Sequence, residues 1–236
     1  MENALRRILA LAVCTVSLLT LSGASTAYAA DADQLKAQAG SWLAAPQNGA
    51  KGCLMTFATT PVAGGYALTG TDACATAIPA LSKATAWAIG DDGTLSILDA
   101  AHKSLVNFGQ DEGSPWETED GEPMWLLPAL GTIDHVPTAE SLAGSWTIQR
   151  PEGTQPLCAV KLSTDTDNDG TTKLSPNGDC TPEISDIKLT LWALEGFGLV
   201  LMSDDGTSLS FDMKADGSFD RSLEDGGKPL KLVRQP

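Results

Sequence analysis

The run Gly198-Leu199-Val200-Leu201-Met202-Ser203-Asp204-Asp205-Gly206-Thr207-Ser208-Leu209-Ser210-Phe211-Asp212-Met213 decides the fold class. On both sides of Asp204-Asp205-Gly206-Thr207, large apolar residues recur at every second position: Leu199 and Leu201 before it, Leu209, Phe211 and Met213 after it. A period of two is the signature of a strand with one buried face. Asp-Gly tolerates the positive backbone angles of a tight reversal, so the run predicts a hairpin. Working outward, Ala215-Asp216-Gly217 supplies a second reversal, and short alternating runs predict further strands at 145–149, 157–162, 172–175, 188–194, 218–223 and 229–233, with one helical turn at 182–187.

The same pattern occurs earlier in the chain. Ala39-Gly40-Ser41-Trp42 returns as Ala143-Gly144-Ser145-Trp146 at an offset of 104. Cys53 and Cys74 return as Cys158 and Cys180 at offsets of 105 and 106, Trp87 returns as Trp192, and the run from Gly121 to Leu126 returns as that from Gly227 to Leu232. The first copy then yields its own eight strands at 41–45, 53–58, 65–70, 84–89, 93–100, 104–108, 115–119 and 122–127, after one helical turn at 33–38. A repeat this long is an independent domain, not a solenoid unit. Eight short antiparallel strands in each copy close into a small up-and-down β-barrel, which removes exposed sheet edges and leaves an interior filled by side chains. The expected fold is all-β, two tandem eight-stranded antiparallel barrels: the first over 35–127, a linker over 128–138 and the second over 139–236. Trp42, Trp87, Trp146 and Trp192 read as core plugs.

The amino terminus reads as an export signal. Arg6 and Arg7 precede an apolar run over 8–21, and Ala27-Tyr28-Ala29 is a small-x-small cleavage site, so residues 1–29 are expected to be removed, leaving Ala30 first. Fourteen apolar residues are short for a membrane span. Cys14, in Leu-Ala-Val-Cys, superficially resembles a lipid-attachment site, but a cut there would leave few apolar residues after the arginines. Removal of the signal takes Glu2, Arg6 and Arg7 from a chain of 236 residues with formal charge −15, leaving 13 basic against 29 acidic residues. So acidic a protein is a poor ligand for nucleic acid or an anionic membrane. Four cysteines remain, an even number suited to an oxidising compartment. Cys53 with Cys74 and Cys158 with Cys180, 21 and 22 residues apart, is the economical pairing of three that are open.

Motifs of catalysis are missing from the sequence. It contains no H-E-x-x-H, G-x-S-x-G, Walker or dinucleotide fingerprint, and neither His102 nor His135 recurs in the other copy, so neither an enzyme nor a cofactor is expected. His135 reads as a solvated linker residue. Neighbouring carboxylates, Glu117 with Glu119 and Asp204 with Asp205, read as surface charge. Asp165-Thr166-Asp167-Asn168-Asp169-Gly170 opens like a calcium loop but carries Pro176 at its twelfth position, where a bidentate glutamate should close the site, and reads as an acidic hairpin. Trp116 and Trp125 have no tryptophan counterpart in the second copy; if exposed, they are candidate contact residues.

In order, each copy has a leucine shortly before Gly-Ser-Trp, a cysteine in the second strand, another about 21 residues on, a central tryptophan and a closing Gly-x-Pro strand. This set resembles the Inh (AprI) family of bacterial metalloprotease inhibitors. The resemblance implies one disulfide per barrel, residence in the periplasm and inhibition of secreted serralysin-type zinc endopeptidases by a monomer. It also implies that an extended trunk ahead of the barrel enters the protease cleft, with its free amine approaching the catalytic zinc. Here that trunk is Ala30, Asp31, Ala32 and Asp33, within 30–34, and the fused second copy has no such amine. The other reading is a non-catalytic envelope interaction module built of two barrels.

Overall fold

The computed structural model describes residues 32–112, 114–153, 155–223 and 226–236. The first copy comprises β1 (Gly40–Pro46), β2 (Cys53–Val62), β3 (Gly65–Thr69), β4 (Ala84–Ile89), β5 (Leu95–Asp99), β6 (Ser104–Gly109), β7 (Trp116–Thr118) and β8 (Met124–Pro128). Each strand pairs antiparallel with the next, and β8 returns to β1 with Pro128 opposite Trp42 and Met124 opposite Pro46, which closes the sheet. The second copy repeats this with β9 (Gly144–Gln149), β10 (Pro156–Thr166), β11 (Thr172–Pro176), β12 (Leu189–Glu195), β13 (Gly198–Ser203), β14 (Ser208–Met213), β15 (Phe219–Arg221) and β16 (Lys231–Arg234), closed by β16 against β9. The expected pair of eight-stranded up-and-down barrels is the fold, with Cys53–Cys74 in the first barrel and Cys158–Cys180 in the second.

The alternation read from the sequence is the inside–outside alternation of the walls. Leu199, Leu201, Leu209 and Phe211 turn inward and are at most 4% exposed, packed with Trp146, Ile148, Trp192, Phe219 and Leu232. In the first barrel Phe57 stacks between Trp42 and Trp87, with ring centroids 5.8 and 5.1 Å apart. A tryptophan inside a barrel must still satisfy its indole N–H. Trp87 donates to the Ala58 carbonyl and Trp192 to that of Ser163, both at 3.0 Å.

Differences from the expected elements have local causes. Two helical segments were not expected. Between β3 and β4 the chain forms a 3-10 turn (Thr71–Ala73), helix α2 (Cys74–Ala77) and a second 3-10 turn (Pro79–Lys83), fixed by the disulfide at Cys74 and by Leu81, which is fully buried. Ahead of β9, Ala139–Leu142 forms a helix whose capping box joins Thr138 to Ser141. The helices that were expected are Ala32–Gln38, called α1, and Pro182–Ser185. Strands β8 and β16 begin at Met124 and Lys231, inside the expected 122–127 and 229–233; Pro123 and Pro229 have no N–H to give a ladder. Strand β8 extends to Pro128, and Val136, in the expected linker, is fully buried.

The two barrels touch. Leu43 and Ala45 point outward from β1 yet are fully buried, clustered with Leu127 and Val136 and packed by Leu54, Trp125 and Phe197 of the second barrel. The linker is strapped to the first barrel by the Gly52 N–H donating to the Asp134 carbonyl at 2.7 Å and by Lys51 beside the Asp134 carboxylate at 3.2 Å. Truncating Phe211, fully buried at the centre of the second barrel, is expected to cost about 3–5 kcal/mol. Urea denaturation of Phe211→Ala should show the second barrel unfolding at lower denaturant than in the parent.

Candidate functional site

The end of each barrel at which its first strand begins carries the lead-in segment and connections between strands. In the first barrel that end carries α1, the β4–β5 turn over 90–94 and the β6–β7 loop over 110–115. Asp33 in the first turn of α1 suits the positive end of the helix dipole. Leu35 packs on the barrel core, and the indole of Trp42 reaches back four residues to donate to the Gln38 carbonyl at 2.8 Å, closing the last helical turn. Ala32, Asp33 and Gln34 are exposed. The carboxyl end of the helix is therefore held by the barrel, and the side chains of its first turn are exposed.

Beside α1 lies a shallow cleft of about 470 Å³ bordered by Gln34, Gln38, Asp92, Asp111, Trp116 and Glu119. The Asp92 carboxyl sits below its ordinary pKa chiefly because the Thr94 backbone N–H donates to it. It is ionised at neutral pH, which makes this rim anionic. Ala32 and Asp33, expected in an extended trunk, are the opening residues of α1 instead; Ala30, Asp31 and the signal segment 1–29 lie outside the described residues.

The matching end of the second barrel is built differently. Trp146 again donates to a carbonyl four residues back, that of Leu142 at 2.8 Å. There, however, Arg234 also donates to the carbonyls of Ser141 (2.6 Å) and Ala143 (2.8 Å) and lies 5.5 Å over the Trp146 ring. The short helix Ala139–Leu142, called α3, is thus fastened at both ends, by its capping box and by Arg234.

The remaining candidates resolve locally. Trp116 is 7% exposed inside the first barrel, and Trp125 is half-buried in the contact between barrels, so neither is an exposed anchor. His135 lies beside the Asp134 carboxylate at 3.0 Å with its side chain 57% exposed. Glu117 accepts from Gln47 at 2.6 Å and Glu119 from Thr94 at 3.3 Å, while Asp204 accepts from Thr190 and Asp205 from Ser203 and Thr207. Within the acidic hairpin, Asp167 accepts the backbone N–H groups of Asp169 and Thr171, which spends the carboxylate on the turn itself. Among the described residues no three histidine, cysteine or acidic side chains gather as a metal site, and no helix is long and apolar enough to cross a membrane.

The protease inhibitor Inh family matches the chain twice, over residues 32–127 and 136–234. The chain belongs to the protease inhibitor Inh family. No curated protein matches it. The two matches each cover one closed barrel, so the Inh unit is the barrel with its disulfide, and this protein carries two in tandem. Membership indicates an inhibitor whose partner is a protease. The sequence reading missed the inter-barrel role of Phe197 and of the outer face of β1. The signal was present in Trp42-Leu43-Ala44-Ala45, apolar without alternation where the second copy has Trp146-Thr147-Ile148-Gln149.

Because α1 is tied at its carboxyl end, Trp42→Phe, which deletes the indole donor, should loosen the helix by about 1 kcal/mol. Amide hydrogen exchange is expected to rise over 35–38 with the barrel strands unchanged. Trp146→Phe should disturb α3 less, because the Arg234 bonds remain.

Proposed function

We propose that this Inh-family protein is an exported, periplasmic inhibitor of zinc metalloendopeptidases of the serralysin type. It acts through the free amino-terminal trunk of the mature chain, Ala30, Asp31, Ala32 and Asp33. The observation that supports the reading best is the mounting of α1 at the barrel end: Leu35 and the Gln38 carbonyl are held by the barrel, and Ala32, Asp33 and Gln34 are exposed. A rigid base beneath the trunk lowers the entropy lost when it enters a cleft.

Removal of the signal after Ala29 would create the α-amino group of Ala30. Such an amine has an ordinary pKa of about 7.7–8.0 and gives up its proton more readily beside a dication. The neutral amine then offers a lone pair to the zinc that the protease itself carries. The proton is lost to water, so inhibition by this route strengthens as pH rises toward the amine's pKa. The second barrel has no equivalent. Its lead-in is a continuous peptide strapped through Asp134 to the first barrel and pinned by Arg234. One protease per chain is therefore expected. Trp116 and Trp125, which an interaction-module reading would use, are occupied within the molecule.

The test is a titration of the mature chain starting at Ala30 against a serralysin-type zinc protease, beside a version with one additional residue before Ala30. Loss of at least tenfold in affinity on extension is the expected result. Equal inhibition by both would move the site to the barrel surface, and inhibition by neither would sink the metalloprotease assignment.

A further inference from the structure

The two copies differ where one barrel meets the other. On the outer face of β8, β1 and β2 the first copy carries Trp125, Leu127, Leu43, Ala45 and Leu54; at the matching places in β16, β9 and β10 the second copy carries Lys231, Val233, Thr147, Gln149 and Ala159, so three of the five are polar and the other two are smaller. Conversely, the turn after β12 in the second copy is Gly196-Phe197, whereas the corresponding turn after β4 in the first is the acidic Asp91-Asp92. The apolar turn of one copy sits on the apolar wall of the other. Phe197 packs in the cluster with Leu43, Ala45 and Leu127. Gly196, at φ +58°, approaches so closely that a Cβ there would stand 2.7 Å from Leu127 Cδ2 and 3.3 Å from Pro115 Cγ. The neighbouring turn of the second barrel reaches the linker, with the Ala215 methyl 3.6 Å from a Cβ built at Gly131.

We propose that the Gly196-Phe197 turn is an intramolecular docking element, seated on the outer wall of the first barrel, which takes the leading end of the second barrel out of use for protease binding. The occupant of the apolar wall is thus a segment of the same chain. The second barrel does not act as a second inhibitor head; it is the cover of that wall, and it fixes both barrels as one body. The consequence for proteases rests on the reading that the leading end of an Inh barrel is its protease-facing end. The docking itself does not.

Two substitutions test it without endangering either barrel, because each installs the residue found at the matching place of the other copy: Phe197→Asp and Trp125→Lys. Hydroxyl-radical footprinting of the full mature chain should show Phe197 protected relative to Leu223, which is 95% exposed. Trp125→Lys should raise the Phe197 rate several-fold, and in small-angle scattering both substitutions should increase the radius of gyration by about a tenth or more as the barrels separate. Phe197 reacting like a freely exposed side chain in the parent, or no change of radius in either variant, overturns the docking. Native mass spectrometry of the parent with excess protease should show a single protease bound. A complex with two overturns the occlusion, while a chain that binds no protease yet keeps the footprint counts against the inhibitor reading and leaves the docking supported.

Discussion

Closure of each sheet on itself is the constraint from which the rest follows. Strand β1 must present one edge to β2 and the other to β8, and β9 does the same with β10 and β16. A strand bonded on both edges has no lateral freedom, so whatever precedes it emerges at the barrel end. The chain entering there still has helix carbonyls to satisfy, and a buried indole is the nearest donor. Leaving such a group unpaired in the interior costs about 1–3 kcal/mol. Trp42 and Trp146 therefore combine two tasks: the ring fills the barrel and the N–H ties the lead-in helix to it.

Against this common frame, the two lead-ins differ in what surrounds the tie. Around α1 lie the Trp42 indole bond, a half-buried Leu35 and an anionic rim that includes Asp92 and Asp111. Around α3 there are in addition two guanidinium bonds, a cation–π contact and a capping box. Every arginine of the two barrels, Arg150, Arg221 and Arg234, belongs to the second copy. Arg234 stiffens the α3 joint, because its planar fork reaches the Ser141 and Ala143 carbonyls at once, on either side of the Leu142 carbonyl that Trp146 takes.

Most of the fold was legible because its strongest signals are local. Alternation around Asp204-Asp205-Gly206-Thr207 fixes which faces point inward, and the recurrence of Gly-Ser-Trp and of the cysteines fixes the number of barrels. What was not legible depends on contacts distant in sequence. The segment over 71–83 has no helical period of its own; its short turns exist because Cys74 is bonded to Cys53 and Leu81 is drawn into the core. Helix α3 was hidden because its capping box uses Ser141 at the third position instead of glutamate or glutamine. Of the candidate site, the four central tryptophans could be read as core, but the placement of α1 could not. Leu35 is one apolar residue in a short polar helix, and only the barrel end gives it somewhere to go.

The asymmetry between the copies also bears on how the two barrels stack. A contact between the wall of one unit and the turn of the next is heterologous, and heterologous contacts propagate unless something ends the series. Between these two copies the contact runs one way. The first copy has the wall but carries Asp91-Asp92 in place of the apolar turn; the second has the turn but breaks the matching wall with Thr147, Gln149 and Lys231 beside Val233 and Ala159. A second chain seeking the wall of the first finds it already filled by Phe197, and one offering its Asp91-Asp92 turn would have to bury two carboxylates against Leu43 and Leu127 without a cation to pair them. Burying unpaired charge is costly enough to exclude that geometry. The copies thus differ at the surfaces that would otherwise allow the barrels to stack, while one pair of interior tryptophans, Trp42 and Trp87 or Trp146 and Trp192, and one disulfide recur in each.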